Sequence, residues 1–414
     1  MKLHRHISSL FSALLLVSLL TSCGVSEPSV SNDSGNQAKS IQYLGSEHPL
    51  GSGNSYGYYC LDTLDNGAYL LRYIDYSSLR DIALCSQPNC AHNDEKCPAW
   101  FVYSGISANV YATDEQVLIC FNGSPWDSSA FAQYKEAALP RILTLTLDGS
   151  DRKETARFNA TDAFSSMPAF DGQTLYIIVT SYDEGDGTGT KAIVAVDMAT
   201  GNVKTDDSVQ RNELRIVGAA GRELVLEYLT TDAQTAYIAY NVDDSQLREL
   251  YNGSQPVSAV CQDGALFLLE TSTGTIRCIE IETGKENTLS TDLFRENSME
   301  WVQLASVTDE GYVVQADENS ITSNYLIDKT GKTTKQELGV DSTDPHDKQR
   351  TLNIFAQTGS SYLVSPSRSF HTVKVPGPGG ITYGVDQARY NFALISPEDF
   401  WVSSPNYELI SRID

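Results

Sequence analysis

Basic residues are scarce: 29 Lys and Arg stand against 53 Asp and Glu, for a net charge of −24 at pH 7. Beyond the first residues no Lys/Arg cluster occurs, so the electrostatic footprint of a phosphate backbone is missing and nucleic acid is not an expected partner. Such acidity keeps a protein soluble and biases its surface toward cations and basic partners. Histidine is also sparse, with six in 414 residues. Past the N-terminal segment only His48, His92, His346 and His371 remain, and no Ser-His-Asp set can be assigned to them. Helical periodicity is nearly absent. Apart from the N-terminus, no segment is apolar enough to enter a bilayer.

The N-terminus, MKLHRHISSLFSALLLVSLLTSC, is the exception. Lys2 and Arg5 form a positive n-region, and residues 10–20 form an apolar core of secretion-signal length, too short for a spanning helix. Leu20-Thr21-Ser22-Cys23 resembles the bacterial lipobox. That resemblance implies cleavage before Cys23 and a diacylglyceryl and palmitate anchor on its thiol; the alternative is an ordinary cleaved signal with a chance cysteine. The expected organisation is a lipoprotein signal peptide over 1–22, a flexible tether over 23–40 and a folded domain over 41–414. The tether, GVSEPSVSNDSGNQAKS and onward, has almost nothing to bury. Without the leader, 27 basic residues face 53 acidic ones, a formal charge of −26. The expected location is the extracytoplasmic face of a cell membrane.

From residue 40 a degenerate repeat appears. Turn-like steps leading into apolar runs occur at Asn66, Glu115, Gly172, Gly221, Gly264, Glu310 and Thr358, at intervals of 49, 57, 49, 43, 46 and 48 residues. Each unit adds a second run ending in a polar turn: LRYIDYSS, ILTLTLDGSD, IVAVDMATG, YIAYNVDDS, CIEIETG, YLIDKTG and, more loosely, FALISPED. Alternating β-branched or aromatic and polar residues, closed by Asp-Gly or Thr-Gly turns, fit half-buried antiparallel strands. Seven units of this size predict an all-β fold, a seven-bladed β-propeller with about four strands per blade. A sandwich would lack the period, and a β-helix would repeat at half of it or less. The last unit's insertion, RSFHTVKVPGPGGITYGVDQARY, is expected as a protruding loop.

One stretch concentrates ligands: Cys85-Ser-Gln-Pro-Asn-Cys90-Ala-His92-Asn-Asp-Glu-Lys-Cys97. Cys85, Cys90, His92 and Cys97 offer a Cys3His set suited to tetrahedral zinc, though without the close C-x2-C pair of common zinc sites. Disulfides are the competing reading, since Cys60 and Cys120 flank the stretch and five thiols stand on the first two units. With Cys23 acylated, seven cysteines remain and cannot all pair within the chain. Either cross-link would pin a connection between two blades that has no core of its own. Three other motifs carry less. GNSYG, residues 53–57, matches the G-x-S-x-G elbow but has no helical domain behind it. Asp183, Glu184 and Asp186 form an acidic cluster that offers calcium donors without the spacing of a known calcium loop, against the reading of a solvated hairpin tip. His371, with Arg368, Lys374 and Tyr383, is a small basic and aromatic patch or simply a solvated histidine.

LCSQPNCAHNDEKCPA resembles a motif of β-propeller lipoproteins from anaerobic, Clostridia-type bacteria, L-C-x2-P-x-C-x-H-x4-C-x-A. Leu84, Cys85, Pro88, Cys90, His92, Cys97 and Ala99 fill it, and the family is loosely similar to TolB-like propellers. An anaerobic source would weigh against disulfides. The resemblance brings no activity with it. Two functions compete: a surface-tethered binding or scaffold module for a glycan, peptide or protein, and an extracytoplasmic hydrolase or lyase acting on polysaccharide through carboxylates at the propeller face. No repeated S-x-D-x-G box supports the second. A metal-handling or redox role for the cysteine loop is a third, weaker reading.

Overall fold

A computed structural model describes residues 39–414, except 46–49, 103–105, 126–131, 184, 186, 210, 294–298, 300, 319–320, 345–346, 348–349, 377–380 and 414. Seven antiparallel sheets follow one another along the chain and form a seven-bladed β-propeller, a compact unit from Ala38 to Asp414. Blade I comprises Gly51–Gly53, Gly57–Thr63, Tyr69–Asp75 and Arg80–Ala83. Blade II comprises Ala108–Ala112, Val117–Phe121, Arg141–Leu145 and Arg152–Arg157. Blade III has a two-piece inner strand, Asp162–Phe164 and Ala169–Phe170, then Thr174–Tyr182, Gly189–Asp197 and Val203–Asp206. Blade IV runs from Asn212–Ala220 to Leu247–Asn252, and blade V from Val257–Gln262 to Glu286–Ser290. Blade VI comprises Trp301–Val307, Gly311–Glu318, Ile321–Asp328 and Thr333–Lys335; blade VII, Ile354–Gln357, Tyr362–Pro376, Thr382–Ile395 and Glu408–Leu409. Among the described residues no helix is long and apolar enough to cross a membrane.

The composition of each strand follows its place in the blade. Second strands are covered on both faces by neighbouring blades, so Val117–Phe121 (VLICF) is buried throughout. The outer strand Val203–Asp206 (VKTD) is mostly exposed. Seven apolar clusters, one at each seam between blades, make up the core. Truncating a seam residue such as Leu118, which has no exposed surface, costs about 2–5 kcal/mol.

Two features depart from the sequence expectation, and a third lay outside it. The first unit is out of phase by one strand: Asn66 lies at the second turn of blade I, and the step matching the other six is at residues 54–56, ahead of the buried GYYC. The expected loop of the last unit is a hairpin, paired without a break from Ser367↔Asn391 to Pro376↔Thr382. These ten pairs carry it roughly 30 Å beyond the blade. On its way it crosses blade I, where Lys374 N donates to Asp65 O at 2.9 Å.

The third is how the ring is held together. Residues 39–45 run inside it, with Gln42↔Phe170 and Tyr43↔Ala169 paired to the inner strand of blade III. At the far end of the chain, Ser411–Arg412 pairs in parallel with the outer strand of blade I. Ser411 N donates to Leu79 O, Ile413 N to Asp81 O, and the buried Arg72 reaches both Asp81 (2.7 Å) and Ile413 O (3.0 Å).

Candidate functional site

The cysteine loop interrupts the outer strand of blade I. Arg80–Ala83 pairs with one half of the third strand and Trp100–Phe101 with the other, at Tyr69 and Leu70. Residues 84–99 are extruded between them. Leu71 closes the mouth of this excursion: its N–H donates to Ala99 O at 2.8 Å and its carbonyl accepts from Leu84 N at 2.9 Å. Arg152 of blade II donates to Pro98 O and Trp100 O, and Gln87 Nε2 to Lys96 O. Within the loop, Asn89 (φ 58°) and His92 (φ 52°) adopt the left-handed backbone that costs an L-residue roughly 1 kcal/mol. Those reversals turn Cys90 and His92 inward toward Cys85 and Cys97.

The four ligand atoms lie within 4.8 Å of one another, and His92 Nδ1 is 3.3 Å from Cys97 Sγ. Tetrahedral zinc with Zn–S bonds of about 2.3 Å needs ligand separations of about 3.8 Å, so this Cys3His cluster has the donors and the size to hold a metal. Burial pushes the Cys97 thiol up to about 12, while a hydrogen bond from the His92 backbone lowers that of Cys90. Holding a cation would therefore displace protons, as metal binding to thiols does. Four protein donors leave no open coordination position, which suits a structural site.

The other cysteines stand apart from it. All seven described cysteines are free thiols. Cys60 belongs to the seam between blades VII and I, and Cys120 to that between II and III, so the five thiols of the first two units are not one group. Cys261 and Cys278 lie on the first and third strands of blade V, facing Leu266 and Phe267 of the strand between them.

The remaining sequence candidates resolve unevenly. Cys23, Glu184 and Asp186 lie outside the described residues. Asp183 is exposed at a hairpin tip, where its Oδ1 accepts from Gly185 N at 2.7 Å. GNSYG forms the first hairpin of blade I, and Ser55 Oγ donates to Asp114 Oδ2 at 2.8 Å with no histidine beside them among the described residues. Arg368 leaves the presumed basic patch: it is buried, with Nε donating to Asp347 Oδ2 at 2.7 Å. His371 Nε2 lies 3.3 Å from Thr63 O.

Sequence reasoning invoked a central channel only as the meeting place of carboxylates in the hydrolase or lyase reading and named none of its residues; the structure has a central cavity of about 1660 Å³. Carboxamides and hydroxyls such as Asn109, Asn122, Ser165 and Gln303 line it together with the carboxylates of Asp114, Glu227, Asp263, Glu280 and Glu282. Its one internal ion pair is Arg215 Nε to Glu227 Oε1 at 2.9 Å, within the described residues. Residues 40–45 form part of the wall, and Tyr43, its hydroxyl pushed up by burial, donates to Met167 Sδ at 3.5 Å. The alternation of small and polar residues along the inner strands is the signal that marks such a wall.

This architecture defines a β-propeller protein. No family model and no curated protein matches the sequence. Solved structures similar in fold include a prolyl endopeptidase (10% identity, 85% of this chain and 50% of that one, TM-score 0.51) and TolB from Acinetobacter baumannii (14%, 72% and 64%, TM-score 0.37). An oligogalacturonate lyase from Vibrio parahaemolyticus is similar over 80% of this chain and 91% of its own, at 10% identity and TM-score 0.44. The chain thus spans half to about two thirds of the first two, and at these identities the likeness is one of fold.

Proposed function

We propose that the protein is a lipid-anchored binding module on the extracytoplasmic face of a cell membrane, and that its central cavity takes a glycan. The observation that carries this reading is the cavity's size and lining. At about 1660 Å³ it exceeds the roughly 300–1,000 Å³ of a drug-sized site, so it suits an oligomer. Its carboxamides and hydroxyls are mixed donors and acceptors of the kind that match sugar hydroxyls. The lipobox-like Cys23 and the polar segment after it support the anchor. Zinc in the Cys85, Cys90, His92 and Cys97 cluster serves as a clasp on the link from blade I to blade II.

The test is a binding screen of the mature chain against defined glycans and peptides, with the same screen on Asn109→Leu and Arg215→Ala. Glycan binding weakened tenfold or more by either change, at unchanged melting temperature, is the expected result. Binding to peptides alone would overturn the ligand assignment.

A further inference from the structure

Blade VI buries a row of polar side chains against blade VII. Its cross-strand partners stack in rows: Val313↔Leu326, then Gln315↔Asn324, then Asp317↔Thr322, with Gln303 opposite Gln315 and Trp301 opposite Asp317. Residues in such rows share one face of the sheet, and this face packs on blade VII. The first row is part of an apolar cluster with Leu352 and Ile354. The second is amide: Gln315 Nε2 donates to Asn353 Oδ1 at 2.6 Å, and Asn324 Nδ2 to Leu352 O at 2.8 Å. Asn324 is only 3% exposed, yet its Oδ1 has no hydrogen-bond partner among the described residues.

Above these rows the seam opens into a notch of about 380 Å³, lined by Trp301, Gln315, Asp317 and Thr322. The Trp301 side chain is 44% exposed. Asp317 Oδ1 accepts from Thr322 Oγ1 at 2.6 Å, and no other described residue donates to this carboxylate. Gln303, one step of about 7 Å along the same strand and on the same face, lines the central cavity. The strand runs from Trp301 toward the turn at Thr308, so the notch lies at the end of the cavity away from the turns that residues 39–41 touch.

We infer that this notch is a sugar subsite at the mouth of the cavity. An indole offers a flat apolar face against which the C–H face of a pyranose can lie. Beside it, Asp317 accepts from ring hydroxyls, and the Gln315 carboxamide accepts at Oε1. The inference rests on the glycan reading above and adds where the chain end emerges and what holds it.

The experiment titrates the mature protein with gluco-, xylo-, manno- and N-acetylglucosamine-based tetrasaccharides, following tryptophan emission, iodide quenching and heat of binding. At least one should bind, shift the emission to the blue and shield one tryptophan from iodide. Trp301→Ala should remove the shift and weaken binding about tenfold; Asp317→Asn should weaken binding and keep the shift. The Trp301→Ala melting temperature should stay that of the parent, because the side chain is half exposed. Equal affinity of parent and Trp301→Ala for a bound tetrasaccharide overturns the subsite and leaves the cavity reading standing. No heat and no shift with any tetrasaccharide overturns both.

Discussion

Asn89 and His92 hold unfavourable backbone conformations so that four soft ligands can meet. The ends of the loop are anchored by Leu84, Cys97 and Ala99 in the seam between blades I and II, while its middle, with Asn89 and His92, has no buried apolar residue in that seam to hold its backbone. On the proposed zinc reading, the metal supplies a cross-link there. Closing a loop of about this length lowers the entropy of the unfolded chain by roughly 3 kcal/mol. The mature protein, isolated without oxygen, should therefore contain one zinc per chain by elemental analysis. Cys90→Ser or His92→Ala should lose the zinc and melt lower by several degrees, with glycan affinity unchanged. Loss of affinity at an unchanged melting point would make the loop part of the binding site instead. Because Cys97 must give up a proton that burial holds up to about 12, zinc occupancy should fall as pH falls.

Among the elements, the segment 39–45 holds only the two-residue strand Gln42–Tyr43, flanked by Ile41 and Leu44 buried in the blade seams. Arg222 holds its start, donating to Lys39 O at 2.9 Å while paired with Asp171 and Asp243. Replacing Arg222 with Ala should expose residues 39–45 to protease while the seven blades stay protected, which limited proteolysis with mass spectrometry reads directly. Sequence patterning reached the third strand of every blade, because each ends in a polar turn with its own Asp, Asn or Gly signal. It misphased blade I, because the first inner strand, Gly51–Gly53, has only three residues and no apolar alternation. The hairpin read as a loop for a related reason: its prolines and glycines mark the tip, and Val373 is the single buried apolar side chain among the described residues 367–391. The Cys3His cluster was legible because its four donors fall within thirteen residues of sequence. The notch was not, because Trp301, Asp317 and Thr322 meet only through strand register.

At the scale of the molecule, the main strands of every blade are consecutive in the chain, and the ring is closed by a strand from its far end, Ser411–Arg412, added to the outer edge of blade I. The contacts of the final residues bear that duty together with the apolar seam between blades VII and I. Deleting residues 411–414 removes the hydrogen bonds of Ser411 and Ile413, the ion pair of Arg412 with Asp62, and one acceptor of the buried Arg72. At about 1 kcal/mol for each bond, the loss is roughly 3–5 kcal/mol. Calorimetry should show a lower melting temperature, and hydrogen exchange should rise first in blades I and VII. An even rise around the ring would show that the seam alone closes it.

The strand inside the ring also has a mechanical meaning. Residues 39–45 lie alongside the inner strand of blade III, so a force that reaches Ala38 from the N-terminal side and acts along that strand loads its hydrogen bonds in parallel. Bonds loaded in shear break together, whereas bonds opened from one end break one at a time. A short segment can thus carry drag on the ligand side without peeling, and the first part of the domain to feel tension is the wall of the cavity itself.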